Sequence, residues 1–375
     1  MASIQALPMP KARTEFGKSG VFIQQPIGIG TMQWGDAWLD KAWVNKGGGT
    51  PTDEELDAIF EAVSEKLKVN FFDTAEGYGG GSGERRIADI LKRHPLLAKD
   101  TVVATKFLPT LWRWTQNSLL DAVQQSNKRL GIPTCPLYFI HTPVHPMPLE
   151  HWVRACCVAQ DKGYIQAMGL SNCNAEQVRR AVKEAAKHGK RIAANQILYS
   201  LLDYNSKALQ EMQTVCGAND ITIIGYSPVG QGLLVDALTQ DKFEGIRMAK
   251  MTGLTWLDPD FCELRQAIHA IAASKGRPMA QVCIKWSIAK GAVPLVGVRS
   301  LRHLSDIAGA LDSTWALSSD EMSLLDRLAL KRSTFEKPRW RRAFFTGLLS
   351  VLMMMYSVTD WLYGLPAHAG DKVYA

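Results

Sequence analysis

Eight short apolar runs, separated by segments of helix length, constrain the fold of this chain more than any other feature. The runs are PIGIG (26–30), VNFFDT (69–74), TVVATK (101–106), LYFIH (137–141), IQAMGL (165–170), RIAANQI (191–197), ITIIGYS (221–227) and AVPLVGV (292–298). Such runs are typical of parallel strands that are covered on both faces. Eight strand–helix repeats predict an α/β fold, a closed (β/α)8 TIM barrel.

An open, doubly wound sheet is the alternative arrangement of such repeats. That fold would normally open with a GxGxxG motif, but here Gly28 and Gly30 are followed by Gln33 in place of the third glycine. The sequence also has no GxxxxGK[ST] phosphate loop. The glycine-rich run 79–83 is not followed by Lys-Ser or Lys-Thr, so we interpret it as a flexible loop.

Amphipathic segments and capping signals predict the helices between the strands. The segment 53–67 has apolar residues at helical spacing and follows a capping box formed by Thr52 and Glu55. A second capping box, Ser318 with Glu321, marks a helix over 319–330. Further helices are predicted over 115–130, 175–188, 206–216, 263–275 and 301–311.

The composition describes a folded chain with an uneven distribution of charge. The 375 residues are 46% hydrophobic and 21% charged, which excludes a disordered chain and allows a large core. The net charge is +7, and the segment 331–342 alone carries +5 of it. A nucleic-acid-binding protein would spread its basic groups over a folded face, so we expect no nucleic-acid partner.

An uncharged stretch, 343–359, follows the basic segment and reaches the minimum length for crossing a bilayer. We therefore predict four regions: a disordered segment 1–20, a barrel 21–330, a basic linker 331–342 and a hydrophobic tail 343–365. The tail is expected to be a transmembrane helix that anchors the barrel on the cytosolic side of a membrane. The alternatives are a helix packed on the barrel or one lying flat on a membrane. The expected location is the cytoplasm, with the plastid as the alternative.

Polar residues stand where several predicted strands end, which is where the chemistry of α/β barrels gathers. Asp73 is the last residue but one of the second run, with Tyr78 five residues later, and the third and fourth runs end in Lys106 and His141. A nearby ammonium group would lower the phenol pKa from about 10. Asp73 would hold that ammonium group, and His141 would bind a substrate oxygen. This set suits proton donation to a carbonyl oxygen during hydride attack.

The order and spacing of these motifs resemble the aldo-keto reductases over residues 21–330, and in particular the plant and algal plastid-type members. The matching segments are FDTAEGYGGGSGE (72–84), VVATK (102–106), IHTP (140–143), GLSN (169–172), NQILYS (195–200), GYSPVGQGLL (225–234) and VPLVGVRS (293–300). The resemblance implies a catalytic tetrad of Asp73, Tyr78, Lys106 and His141, with Tyr78 as the general acid. It also implies NADPH as the cofactor and no metal.

The same resemblance implies a set of cofactor-binding residues. They are Gly30, Thr31, Ser171, Asn172, Gln196, Tyr226, Ser227, Arg299 and Ser300. Those at 171, 172 and 196 match positions that hold the nicotinamide carboxamide, and Tyr226 matches the aromatic residue that stacks on its ring. Arg299 and Ser300 match the contacts to the 2′-phosphate. Asp306 and Ile307 replace the common Glu-Asn pair that contacts adenosine, so the adenine contact is expected to differ.

The substrate side leaves two interpretations open. Five tryptophans that follow strands one and three either form an aromatic wall or pack the loops onto the barrel: Trp34, Trp38, Trp43, Trp112 and Trp114. The insertion 38–50 is interpreted as a lid. We expect an enzyme that uses NADPH to reduce an aldehyde or ketone, a small-molecule carbonyl, to an alcohol. The alternative is an NADPH-binding regulatory subunit with little turnover, similar to potassium-channel β subunits.

Overall fold

Eight parallel strands close into a barrel in the computed structural model, which describes residues 7, 13–35 and 50–330. The strands are β1 (Gly28–Gly30), β2 (Phe71–Asp73), β3 (Val102–Phe107), β4 (Cys135–Ile140), β5 (Ile165–Ser171), β6 (Ile192–Leu198), β7 (Thr222–Tyr226) and β8 (Val293–Gly297). Each strand pairs with the next one along the chain, and β8 pairs with β1. The TIM barrel is therefore confirmed, and the open sheet is excluded.

Helices surround the barrel. The main ones are α1 (Asp53–Glu61), α2 (Ser82–Arg93), α3 (Gln116–Leu130), α4 (Leu149–Asp161), α5 (Ala175–Ala186), α6 (Lys207–Ala218), α7 (Pro259–Lys275), α8 (Met279–Ala289), α9 (Leu304–Leu311) and α10 (Ser319–Leu328). Shorter helices span Pro95–Ala98, Gln240–Gly245 and Arg247–Thr252. Both predicted capping boxes form with reciprocal hydrogen bonds, at the starts of α1 and α10. The sequence analysis did not identify α2, α4 or α8.

A short hairpin closes the end of the barrel at which the strands begin. Thr14–Glu15 pairs in antiparallel fashion with Phe22–Ile23. Phe16 is fully buried against Phe71 inside the barrel, with ring centroids 5.0 Å apart. Gly17 has a φ of +54°, and a Cβ there would overlap the backbone of Ala193. The barrel domain therefore begins before the predicted boundary at residue 21, and residues 13–20 are ordered parts of it.

The predicted transmembrane helix requires correction. None of the helices in residues 7, 13–35 and 50–330 is long and apolar enough to cross a membrane. The linker and tail on which that prediction was placed, residues 331–365, lie outside the described residues, as do Trp38, Trp43 and nearly all of the predicted lid. The transmembrane and membrane-anchor predictions are not retained.

Candidate active site

The ends of β2 and β3 bring an acid, an ammonium group and a phenol together. Asp73 on β2 pairs with Ala104 on β3, and Lys106 lies two residues further along, so both side chains point into the barrel. The Lys106 Nζ donates to Asp73 Oδ2 at 2.6 Å and to the carbonyl oxygen of Thr74 at 2.6 Å. It lies 3.4 Å from the Tyr78 hydroxyl. Three of the predicted catalytic residues thus share one network of hydrogen bonds.

The Asp73 and Lys106 side chains of this network are shielded from solvent. Lys106 is fully buried and Asp73 is 3% exposed. Burial lowers the pKa of Lys106 and raises that of Asp73, while the attraction between the two groups opposes both shifts. Gln196 on β6 donates to the second carboxylate oxygen of Asp73 at 2.7 Å. Gln196 was predicted only as a cofactor contact, so its hydrogen bond to Asp73 is a feature that sequence reasoning missed.

The glycine run after Tyr78 is a tight structure, which corrects its interpretation as a flexible loop. Tyr78–Gly81 forms a 3-10 turn that leads directly into α2. Gly79, Gly80 and Gly81 all have positive φ angles, which residues with a Cβ rarely adopt. The backbone N–H of Tyr78 donates to the carbonyl oxygen of Ala75 at 2.9 Å. The glycines therefore allow the sharp bend that places Tyr78 above Lys106.

His141 follows β4 and faces Tyr78 edge-on, with ring centroids 5.9 Å apart and an interplanar angle of 78°. Burial and the positive charge of Lys106 lower the pKa of His141 to about 3. Its Nδ1 is buried with no hydrogen-bond partner among the described residues. The imidazole is therefore neutral near pH 7 and suits hydrogen bonding rather than ionic contact.

The predicted nicotinamide contacts at the ends of β5 and β7 are linked to His141. The Tyr226 hydroxyl donates to Asn172 Oδ1 at 2.9 Å, and Asn172 Nδ2 donates to the His141 carbonyl oxygen at 3.1 Å and to Ser171 Oγ at 3.0 Å. Asn172 and Ser227 adopt left-handed backbone conformations, with φ of 58° and 56°. Strained backbone of this kind is concentrated at functional sites. The amide and hydroxyl groups present there have the hydrogen-bonding chemistry that a carboxamide needs.

Gly30 is the last residue of β1 and Thr31 follows it, at the same end of the barrel. The Thr31 backbone N–H and its Oγ1 both bind the carbonyl oxygen of Asp73, each at 2.9 Å, and Thr31 is fully buried. Thr31 therefore fixes the end of β2. At Gly30, the nearest atom to an added Cβ would be the Val296 carbonyl oxygen at 3.9 Å. The barrel wall alone thus does not require glycine at this position.

Arg299 and Ser300 follow β8, beside the 3-10 turn Leu301–His303 that leads into α9. His303 Nδ1 accepts a hydrogen bond from the Arg299 backbone N–H at 3.3 Å and lies 3.4 Å from Ser300 Oγ. Burial lowers the pKa of His303, and the charges of Arg299 and Arg302 lower it further. The positive charges of Arg299 and Arg302, with the hydrogen-bond donors of Arg299 and Ser300, fit a phosphate group. His303 is a further residue that the sequence analysis missed.

Asp306 and Ile307, which stand where the family commonly has a Glu-Asn pair, lie on α9 just after this turn. Ile307 is fully buried in the apolar cluster beneath α9, so its side chain makes packing contacts in place of the polar contact that asparagine would offer. Asp306 is partly buried, and burial raises its pKa.

No group of three or more His, Cys, Asp or Glu side chains in the described part of the chain is arranged to hold a metal ion.

The described tryptophans divide between the two interpretations. Trp34 is fully buried, and its indole N–H donates to the Val298 carbonyl oxygen at 2.8 Å, so it packs the loop after β1 onto the barrel. Trp112 and Trp114 follow β3 and are 46% and 49% exposed. They are therefore the described indoles that could contact a substrate at this end of the barrel.

Comparisons with known proteins point to one family. The family model described as the aldo/keto reductase family matches residues 26–330. A chloroplastic pyridoxal reductase of Arabidopsis thaliana is 32% identical, over 83% of this chain and 85% of that protein. An aldo-keto reductase of Schizosaccharomyces pombe named with NADP(+) is 30% identical, over 70% and 79%. A thermostable aldo-keto reductase solved with the inhibitor epalrestat has a TM-score of 0.64 and 25% identity, over 84% and 99%.

Proposed function

Because this chain belongs to the aldo/keto reductase family, we propose that it is an NADPH-dependent oxidoreductase that reduces an aldehyde or ketone to an alcohol, with Tyr78 as the general acid. The observation that carries the proposal is the 3.4 Å contact between the Tyr78 hydroxyl and the buried Lys106 ammonium group. The family membership supports oxidoreductase chemistry, and the arrangement of the strand ends supports these particular residues.

Each member of the proposed tetrad has one task. The chemistry that NADPH supplies when bound is a hydride for the carbonyl carbon. Tyr78 donates its hydroxyl proton to the carbonyl oxygen, which becomes the alcohol. Lys106 stabilises the phenolate that remains, and Asp73 holds Lys106 in place by the 2.6 Å hydrogen bond. The neutral His141 donates a hydrogen bond that orients the carbonyl oxygen.

The test is NADPH oxidation with a panel of aldehydes and ketones that includes pyridoxal, benzaldehyde and short sugars. Wild-type protein should consume NADPH with at least one carbonyl, and Tyr78→Phe should lower kcat by about 10² to 10⁴-fold without weakening NADPH binding. NADPH binding by the wild type without turnover of any compound would favour the regulatory-subunit alternative. Equal activity of the wild type and Tyr78→Phe would refute the role of Tyr78.

The choice of NADPH over NADH is proposed to depend on Arg299 and Ser300 after β8. Arg299→Leu should raise the Kd for NADPH about tenfold to a hundredfold, because a charge-assisted hydrogen bond to the 2′-phosphate is lost. The Kd for NADH should change little. Arg191→Leu is the matched control, since it removes the same charge at the opposite end of the barrel, where Arg191 pairs with Asp220. An equal loss for both cofactors would contradict the assignment.

We propose the cytoplasm as the location, with the plastid as the alternative because one relative is named chloroplastic. A fluorescent fusion at the C-terminus of the full chain distinguishes the two by microscopy. Fluorescence confined to plastids would favour the alternative.

A further inference from the structure

An ion pair with a buried carboxylate lies beside the candidate active site and has no place in the mechanism above. Glu76 stands two residues before Tyr78 and is 7% exposed. Its carboxylate binds both terminal nitrogens of the Arg113 guanidinium, with a distance of 3.1 Å from Arg113 Nη2 to Glu76 Oε2. The Leu108 backbone N–H donates to Glu76 Oε1 at 2.6 Å. Such two-pronged, charge-assisted contacts fix orientation as well as distance.

Arg113 also contacts the end of β3 and the loop that follows it. Its Nη1 also donates to the Leu108 carbonyl oxygen at 2.9 Å, and its guanidinium lies 4.8 Å from the ring centroid of Phe107. The pair therefore joins the loop between β2 and α2, which carries Tyr78, to residues 108–115, which follow β3. Glu76 accepts from the Leu108 backbone N–H and Arg113 donates to the Leu108 carbonyl oxygen, so these two side chains hold the backbone at Leu108 against the loop that carries Tyr78.

Residues 108–115 carry the two half-exposed indoles. Trp112 and Trp114 flank Arg113 directly, so the guanidinium contact restrains the backbone on which both indoles stand. The Trp114 ring packs edge-on against His145, with centroids 5.4 Å apart, and His145 Nε2 lies 3.0 Å from the Thr110 carbonyl oxygen. Three loops at the catalytic end of the barrel are thereby connected.

We propose that Glu76 and Arg113 are positioning residues that set substrate preference, by holding Trp112 and Trp114 as a fixed aromatic side of the substrate entrance. This inference rests on the proposed carbonyl reduction. A flat, uncharged ring gains from contact with an ordered indole, whereas a short aliphatic chain gains little. The guanidinium binds Glu76 and the Leu108 carbonyl oxygen, so its role is structural and does not include holding a substrate anion. The preferred substrate class is therefore carbonyl compounds attached to a neutral aromatic ring.

The kinetic test compares benzaldehyde with butanal in wild-type protein, Glu76→Gln and Arg113→Lys. Both variants should raise KM for benzaldehyde roughly five- to tenfold, which corresponds to the loss of about one ordered aromatic contact. Their kcat should be nearly unchanged, and KM for butanal should change less than about twofold. Arg154→Met is the control, because it disrupts another ion pair with a buried carboxylate, Glu184, among the outer helices. Equal changes in KM for both aldehydes would overturn the inference.

A second measurement does not depend on turnover. Hydrogen exchange of the backbone amides in 108–115 should be faster in Glu76→Gln than in the wild type, with β3 unchanged. Unchanged exchange there would show that the pair does not hold the loop and would overturn the inference. If the wild type reduces neither aldehyde, the proposed reduction fails for these compounds. The preference is then decided by quenching of indole fluorescence by benzaldehyde, which must be stronger in the wild type than in Glu76→Gln.

Discussion

The two ends of the barrel are built from opposite chemistry on the same strands. Moving two residues along a strand returns to the inward face, and on four strands that step goes from an apolar to a polar side chain. The pairs are Phe71 and Asp73, Ala104 and Lys106, Ala194 and Gln196, and Ile224 and Tyr226. At the end where the strands begin, which we call the base, the hairpin adds apolar side chains to the inside of the barrel.

This difference separates what holds the fold from what serves the proposed reaction. At the base, Phe16, Val21 and Ile23 of the hairpin join the apolar cluster inside the barrel, and their burial stabilises the fold. At the catalytic end, two buried charges have lost their hydration, and their mutual attraction only partly offsets that cost. We infer that the catalytic end reduces stability in exchange for a preorganised proton donor, while the base restores it.

The largest expected effect is on catalysis. Lys106→Met should lower kcat about 10³-fold or more, because the phenolate formed at Tyr78 loses its stabilising charge. The single change should also destabilise the fold, since it leaves Asp73 buried without its cation.

The double variant Asp73→Asn with Lys106→Met sharpens the comparison. It should recover stability to within about 1–2 kcal/mol of the wild type, or exceed it, while activity stays low. Urea unfolding and steady-state kinetics on the same preparations provide both readings. A double variant that stays as destabilised as the single one would show that the charged pair contributes to the fold, against the proposed division between the two ends.

The next effect is on stability at the base. Phe16→Ala should lower the free energy of unfolding by about 3–4 kcal/mol, because it removes a fully buried ring that packs on Phe71. The kcat of the folded protein should not change. Phe22→Ala is the matched control on the same hairpin, where the side chain is 44% exposed, and should cost less than about 1 kcal/mol. A large loss of kcat in Phe16→Ala with unchanged stability would reverse the roles of the two ends.

The smallest expected effect concerns the protonation of His141, which should remain uncharged in the folded protein. Because burial and Lys106 lower the pKa of His141 to about 3, its imidazole should stay neutral from about pH 8 down to about pH 5. The unfolded chain takes up this proton near pH 6.5 and the folded chain does not, so this residue makes the fold less stable as the pH falls below that value. Imidazole NMR shifts follow the ionisation directly. A midpoint near 6.5 would show that the catalytic end is more hydrated than the burial of His141 indicates.

The strands were predictable because both of their faces are apolar, and the polar strand ends were predictable because a barrel brings those ends together. The helix α8 could not be identified in this way. It is buried almost all round, so it lacks the polar stripe that marks an amphipathic helix. The hairpin strands have two residues each, too few to show an alternating pattern.

The contacts that complete the site depend on distance in space rather than on local pattern. Gln196 and Asp73 are 123 residues apart, and Glu76 and Arg113 are 37 apart. Each of these residues is an ordinary polar residue in its own segment, and only the closed barrel pairs them. Sequence reasoning therefore identified the residue types at the strand ends and the pairing of Asp73 with Lys106. It missed the hydrogen bond of Gln196 to Asp73 and the pairing of Glu76 with Arg113.

Proton donation by Tyr78 is the central claim, and the solvent isotope effect on a single turnover tests it most directly. Wild-type protein loaded with NADPH should reduce its best carbonyl substrate about two- to threefold more slowly in deuterium oxide, because the tyrosyl proton moves in the same step as the hydride. Tyr78→Phe should react far more slowly and lose that sensitivity. A variant that keeps both the wild-type rate and the wild-type isotope effect would mean that the proton comes from another group.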